Sequence, residues 1–240
     1  MNSSTLVLRL AGPLQAWGSR SRFVRRETEQ APTKSGVIGI LAAAKGMRRT
    51  DDLTELLGLR FGVRVDQPGR LVRDLQTARS LDGRRVMPLS YRFYLADAVF
   101  VAAVTGERQL LEGLDAALRR PHFPLYLGRR SCPPSGPISL GIHEGALTDV
   151  LRHVPWQASA WHRRQFDDPT VHLRLIRDAE PGDLETETLR DEPLSFDPRR
   201  REYGWRAVVH ELIPITHPDP PPSRGDRKIP HHDPFLVVGG

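Results

Sequence analysis

The order of apolar segments predicts an α+β fold with a βαββαβ, ferredoxin-like unit at its centre. Two stretches carry that expectation. In Leu6–Gly46, LVLRLAGPLQAWGSRSRFVRRETEQAPTKSGVIGILAAAKG, a strand pattern breaks at Gly12-Pro13, crosses an Arg-rich loop and returns as a helix. In Tyr91–Ile142 a long apolar run, an amphipathic helix and a short strand follow one another. With a further strand and a polar arm between them, the chain reads strand, helix, strand, arm, strand, helix, strand. The same scaffold serves RNA-recognition modules.

Leu6–Leu10 is the first predicted strand. The helix over Lys34–Lys45 has Thr33 or Ser35 as its N-cap and Gly46 as its stop. Asp51–Leu57 reads as a short helix closed by Gly58. Phe61, Val63 and Val65 alternate with Gly62 and Arg64, the mark of a half-buried strand. From about Asp66 to Tyr91 no period is sustained, and the segment carries Arg70, Arg73, Arg79, Arg84 and Arg85. Asp82-Gly83 would close a hairpin there. Such an arm protrudes, because it lacks the apolar content for a core of its own. Tyr91–Val104 is expected as one long strand. Glu107–Arg120 places Leu110, Leu111, Leu114, Ala117 and Leu118 on one helical face, and Ile138–Ile142 is the next strand.

Past residue 145 the periodicity weakens. Thr170–Ile176 and Ala207–Ile213 are strand-like and would pair as a C-terminal sheet. Glu180–Pro198 reads as an acidic loop, and Pro214–Pro234 as an extended, poorly packed tail. The expected division is 1–145 for the main domain with its arm at about 66–91, 146–213 for a small C-terminal β extension, and 214–240 for the Pro-rich tail.

Charge narrows the function. The net charge is +6, but residues 1–100 hold 17 Lys and Arg against 9 Asp and Glu, whereas residues 101–240 hold 18 against 20. Five arginines and no acid lie between Arg9 and Arg26. A basic loop that runs from a strand into a helix is a common way to present a groove to phosphates, and guanidinium forks suit phosphate and base edges. No apolar run reaches the roughly 18 residues that span a membrane, and no signal peptide opens the chain, so a cytoplasmic protein is expected. One cysteine, Cys132, excludes an internal disulfide and a multi-cysteine zinc site.

Several motifs invite chemistry. Lys34-Ser35 before a helix suggests a phosphate loop, but Thr33 and Thr28 stand where a Walker motif requires glycines. Trp17, among Gln15, Gly18, Arg20 and Arg22, would either stack on a base or anchor the core. Arg129-Arg130 forms a second basic loop, expected near the first because it precedes the last strand of the unit. Cys132 has no close histidine and reads as a small buried residue. All nine histidines fall at or after His122, so residues 1–121 supply Lys34, Tyr91 and Tyr94 but no histidine base for RNA cleavage. His217 and His231-His232 read as solvated tail residues rather than metal ligands.

LRLAGPLQAWG at 8–18, PTKSGVIGILAAAKG at 32–46 and LYLGRRSCP at 125–133 together resemble the Cas-five family of RAMP proteins, in the form found in type I-E CRISPR surveillance complexes. The likeness covers most of residues 5–145, with a weaker echo at Arg190-Asp191-Glu192-Pro193. It implies a ferredoxin-like domain with an inserted thumb and a non-catalytic RNA-binding subunit. Such a subunit would hold the 5′ handle of the CRISPR RNA and join the backbone and large subunits, without cofactor, metal, membrane or self-association. The implied RNA contacts are Gln15, Trp17, Gly18, Arg20, Arg22, Arg25, Arg26, Thr33, Lys34, Ser35, Arg129 and Arg130. Arg70, Arg73, Arg79, Arg84 and Arg85 would supply the contacts of the arm. The rival expectation is a metal-independent endoribonuclease that cuts repeat RNA, with His143 or His153 folded back as the base.

Overall fold

The computed structural model describes residues 3–18 and 25–220, with the backbone alone at Arg25 and Arg26. Arg20 and Arg22, and the tail from residue 221 with His231 and His232, lie outside the described residues; His217, expected as a solvated tail residue, is buried instead, its Nε2 3.0 Å from Arg163 O. The chain is mixed α/β with antiparallel sheets, apart from one short parallel pairing in the smaller sheet. Its elements are β1 (Ser4–Ala11), β2 (Leu14–Gln15), β3 (Arg25–Arg26), α1 (Lys34–Lys45), α2 (Thr54–Leu57), β4 (Arg60–Gln67), β5 (Arg70–Gln76) and β6 (Ser90–Ala96). There follow β7 (Val99–Gly106), α3 (Arg108–Arg119), β8 (Ser139–Glu144), α4 (Leu147–His153), α5 (Ala160–Arg163), β9 (Thr170–Asp178), β10 (Glu187–Ser195) and β11 (Glu202–Thr216).

One sheet has seven strands in the order β10-β11-β9-β4-β7-β1-β8. Leu6, Leu8 and Leu10 of β1, with Phe100, Ala102 and Val104 of β7, pack on Val37, Ile38 and Leu41 of α1 and Leu111, Leu114 and Leu118 of α3. The intervening residues, Val7, Val101 and Ala103, face the other way and are buried with Leu147, Val150 and Leu151 of α4. A sheet covered on both faces has no wet side, which is why β1 and β7 read as continuous apolar runs. Helix α1 follows its capping residues: Thr33 Oγ1 accepts from the Gly36 amide, and Gly46 closes the helix at φ 84°. A Cβ on Gly46 would stand 2.8 Å from the His122 ring.

Strand β4 differs from the half-buried strand expected. Gly62 lies against α4, where a Cβ would sit 2.5 Å from Leu147, and Arg64 is fully buried. The Arg64 guanidinium pairs with Asp66 at 2.6 Å and donates to the carbonyls of Leu151, Val154 and Pro155. A buried arginine is tolerated because the C-terminal carbonyls of α4 and one carboxylate satisfy its fork.

The apolar run expected as one strand over Tyr91–Val104 is two. The chain turns at Asp97, which adopts φ 57°, a left-handed conformation open to aspartate but costly for most residues. Its amide donates to Pro13 O at 3.1 Å and its carbonyl accepts from Gln67 at 2.5 Å. Strand β6 therefore leaves the large sheet and becomes the centre of a second one, with β5 along one edge and β2 and β3 along the other. Strands β5 and β6, with the turn at Asp82-Gly83, make the expected hairpin arm. Gly83 there has φ 71°.

The C-terminal strands pair as expected, β9 with β11, but they continue the large sheet through β4 rather than forming one of their own. The segment read as an acidic loop contains β10, an edge strand with irregular register around Glu192 and Pro193, where a proline costs little. Its acids Asp191 and Glu192 are turned inward and paired, so a run that is polar in sequence is a strand in the fold. Pro214, assigned to the tail, belongs to β11. It pairs with His172 of β9 where β10 no longer reaches, so its missing N–H faces an open edge.

Candidate nucleic-acid interface

β1 ends at Ala11, and the chain crosses directly to the second sheet, Leu14 and Gln15 pairing with Ala96 and Leu95 of β6. The loop Leu125–Pro133 docks at the same place. The Ala16 amide donates to Leu127 O at 3.1 Å. Gly128 has φ 90° and approaches so closely that a Cβ would lie 1.7 Å from the Ala16 carbonyl oxygen. Only glycine satisfies both demands.

Arg129 then bridges the two loops. Its guanidinium donates to Phe93 O at 3.0 Å and to Glu27 O at 3.4 Å, and sits 4.6 Å from the centre of the Tyr94 ring. The return limb of the first loop is paired here as well, Arg25 opposite Tyr91 and Arg26 opposite Arg92. The expected convergence of the two basic loops is thus a property of the fold, with β6 as the surface on which they meet. Arg130 is exposed beside them.

The arm extends this surface. Arg70, Arg73, Arg79, Arg84 and Arg85 are exposed, and Arg73 lies 5.6 Å over the Tyr91 ring. Asp74 and Asp82 are the only acids between Gln67 and Ser90, and both are engaged locally, by Gln76 and by Ser80. The Tyr94 phenol is buried, which would raise its pKa. The Ser131 hydroxyl and the Arg129 guanidinium outweigh that and bring it below the ordinary value. Burial pushes the Cys132 thiol up, the opposite of what a nucleophile requires.

Five of the expected RNA contacts are occupied inside the protein. Gln15 is fully buried and donates to Leu10 O and Ala98 O at 3.1 and 2.7 Å. Trp17 is 1% exposed, donates to Gln15 Oε1 at 3.1 Å and packs under Gly36. It presents no face to a base and is a core anchor. Thr33 caps α1, and Ser35 lies buried beside it.

Lys34, 5% exposed, pairs with Asp178 at 3.2 Å and Glu192 at 2.9 Å. The first amide of α1 donates to Asp191 Oδ2 at 2.8 Å. The positive end of this helix is therefore filled by a carboxylate of the chain itself rather than held open for a phosphate. Arg206 completes the cluster, bridging Asp191 and Asp178 at 2.6 and 2.7 Å. The short echo at Arg190–Pro193 thus has a physical role: it supplies the acids that lock α1 to the C-terminal strands.

The family model for CRISPR-associated protein (Cas_Cas5) matches residues 5–209. This chain belongs to the Cas5 family. It is 37% identical over 221 residues to the CRISPR system Cascade subunit CasD of Escherichia coli (strain K12), covering 82% of this chain and 92% of that protein. It also resembles a solved structure described as "Crystal structure of Cas protein", at TM-score 0.72 and 40% identity over 90% of this chain and 100% of the other. A chain from a structure described as "CRISPR RNA-guided surveillance complex" matches at TM-score 0.71 and 35% identity, over 88% of this chain and 91% of its own.

Arg92 of this Cas5 chain is not among the contacts expected from the sequence. It lies on β6 between the arm and the basic loops, and its Nε is buried with no hydrogen-bond partner among the described residues. The alternation Tyr91-Arg92-Phe93-Tyr94 was the available signal, since aromatic and basic residues interleaved on a strand suit nucleic acid.

Proposed function

We propose that this chain is the RNA-binding subunit of a Cascade-type CRISPR surveillance complex, holding the 5′ handle of the CRISPR RNA without cutting it. One observation carries the reading: two basic loops and an arginine-studded arm converge on β6, and this surface is built within the family of CasD. The groove would consist of Gly18, Arg20, Arg22, Arg25, Arg26, Arg92, Arg129 and Arg130, with the arm arginines also reaching the adjacent backbone subunit. The large subunit would be the other protein partner, and the cytoplasm the compartment. The order β8-β1-β7-β4, antiparallel throughout with α1 and α3 on one face, supports a ferredoxin-like core under this surface.

The histidines favour binding over cleavage. His143 is in register with Thr5, six residues before the end of β1, roughly 20 Å from the basic loops at about 3.3 Å per residue. His153 ends α4, its Nδ1 2.7 Å from Asp149 O, on the sheet face opposite α1 and α3. Incubating the protein with labelled repeat RNA in EDTA tests the reading. A salt-sensitive complex and no product is the expected result. Cleavage that disappears in His143→Ala or His153→Ala would replace it with an endoribonuclease.

A further inference from the structure

We infer that the open face of the β10–β11 ribbon is a second binding surface for single-stranded nucleic acid, separate from the basic loops. Odd-numbered residues of β11 face the side of the sheet that α4 covers, and there Ile213 and Ile215 are buried in the second core cluster. Towards the start of the strand that cover ends. Trp205 is 63% exposed, and Ala207 and, on β10, Thr188 and Arg190 are exposed too. A single exposed apolar residue needs no explanation, but here Trp205 lies beside Arg190 and two residues from Tyr203, and Trp, Tyr and Arg are the residue types enriched at binding hot spots.

The chemistry of this face selects the occupant. Arg190 lies 5.8 Å from the centre of the Trp205 ring and is tied to the backbone by a 3.3 Å hydrogen bond to Tyr203 O. Arg201 lies 5.3 Å from the centre of the Tyr203 ring. Of the ribbon's acids, Asp191 and Glu192 are turned to the opposite face, where Lys34 and Arg206 hold them, while Glu187 lies 3.2 Å from His210 and Glu202 lies 3.6 Å from Arg200. Among the described residues, Glu211, the acid on the same side of β11, pairs with Arg177 under α4, so the uncovered part of the face presents two cations and two aromatic rings.

Tyr203 and Trp205, two residues apart on one strand, spring from backbone positions roughly 6.7 Å apart, a spacing at which neighbouring bases can each stack on a ring. Stacking is indifferent to base identity, and arginines beside the rings meet the phosphates. An acidic protein segment would satisfy the guanidiniums but would leave the rings unused.

Quenching of Trp205 fluorescence and anisotropy of a short labelled oligouridine test this in the full-length chain. Trp205→Ala should weaken oligouridine binding by roughly 5- to 150-fold, the range for losing one stacked base. Arg190→Gln with Arg201→Gln should flatten the log–log salt slope by about 1.4, near 0.7 per phosphate contact. Arg129→Gln with Arg130→Gln should leave the Trp205 quench in place, which separates this surface from the handle site. Unchanged oligouridine affinity in a folded Trp205→Ala protein overturns the proposal. So does an unchanged salt slope in the double arginine variant, which carries the test should Trp205→Ala fail to fold. Equal quenching by polyglutamate would make the face a docking site for acidic protein instead.

Discussion

Lys34→Met separates a structural lysine from an RNA ligand. The ammonium is 3.2 Å from Asp178 and 2.9 Å from Glu192, and the lysine is nearly inaccessible. Removing one partner of a buried ion pair costs about 3–5 kcal/mol, because the other charge stays buried and unpaired. The lower end applies here. Asp178 keeps Arg206 at 2.7 Å and the Phe61 amide at 2.8 Å, and the Glu192 side chain retains 19% exposure. A loss of about 3 kcal/mol in a chain of this length lowers the melting temperature by roughly 6–12 °C. Melting followed by circular dichroism measures that shift. Binding of labelled handle RNA, measured well below the melting temperature, should keep its affinity and its salt slope. The reasoning fails if Lys34→Met melts like the parent while its log–log salt slope flattens by about 0.7, since that is the signature of a lost phosphate contact.

Arg129→Gln with Arg130→Gln should weaken handle binding and flatten its salt slope by up to about 1.4, whereas Arg152→Gln on α4 should leave the slope unchanged. Replacing Arg70–Arg85 by a short Gly-Ser bridge should leave a soluble, cooperatively melting protein, because the side chains removed are almost all exposed; loss of folding would make the arm part of the core. Asp183, bonded to Arg177, has its pKa lowered from 3.8 to about 2. A folded pKa below the unfolded one means its stabilising contribution is complete above about 4 and is lost as pH falls towards 2. The stability gap between the parent and Asp183→Asn, read from urea melts, should accordingly be present at pH 5, much reduced at pH 2 and closed only below it.

The sequence alone determined the elements whose signals are local. Helix α1 runs over the expected Lys34–Lys45 because its stops are chemical: a threonine hydroxyl at one end and a glycine at φ 84° at the other. Helix α3, the Asp82-Gly83 turn and the concentration of arginine before residue 100 were legible for the same reason. Tertiary structure decided everything that depended on what faces a side chain. Arg64 sits in a strand with the spacing of a solvated residue, yet the carbonyl end of α4, nearly ninety residues away in sequence, gives it a reason to be buried. Strand β10 was hidden because its acids find Lys34 and Arg206 only after the sheet assembles. Trp17 and Lys34 looked like ligands because they sit in a basic loop and at a helix N-terminus, while Gly36 of α1 packs over the indole and Asp178 and Glu192 of the C-terminal strands hold the ammonium. Charge along a chain reports how much cation is available. Burial and pairing, which no local pattern encodes, determine which cations remain exposed.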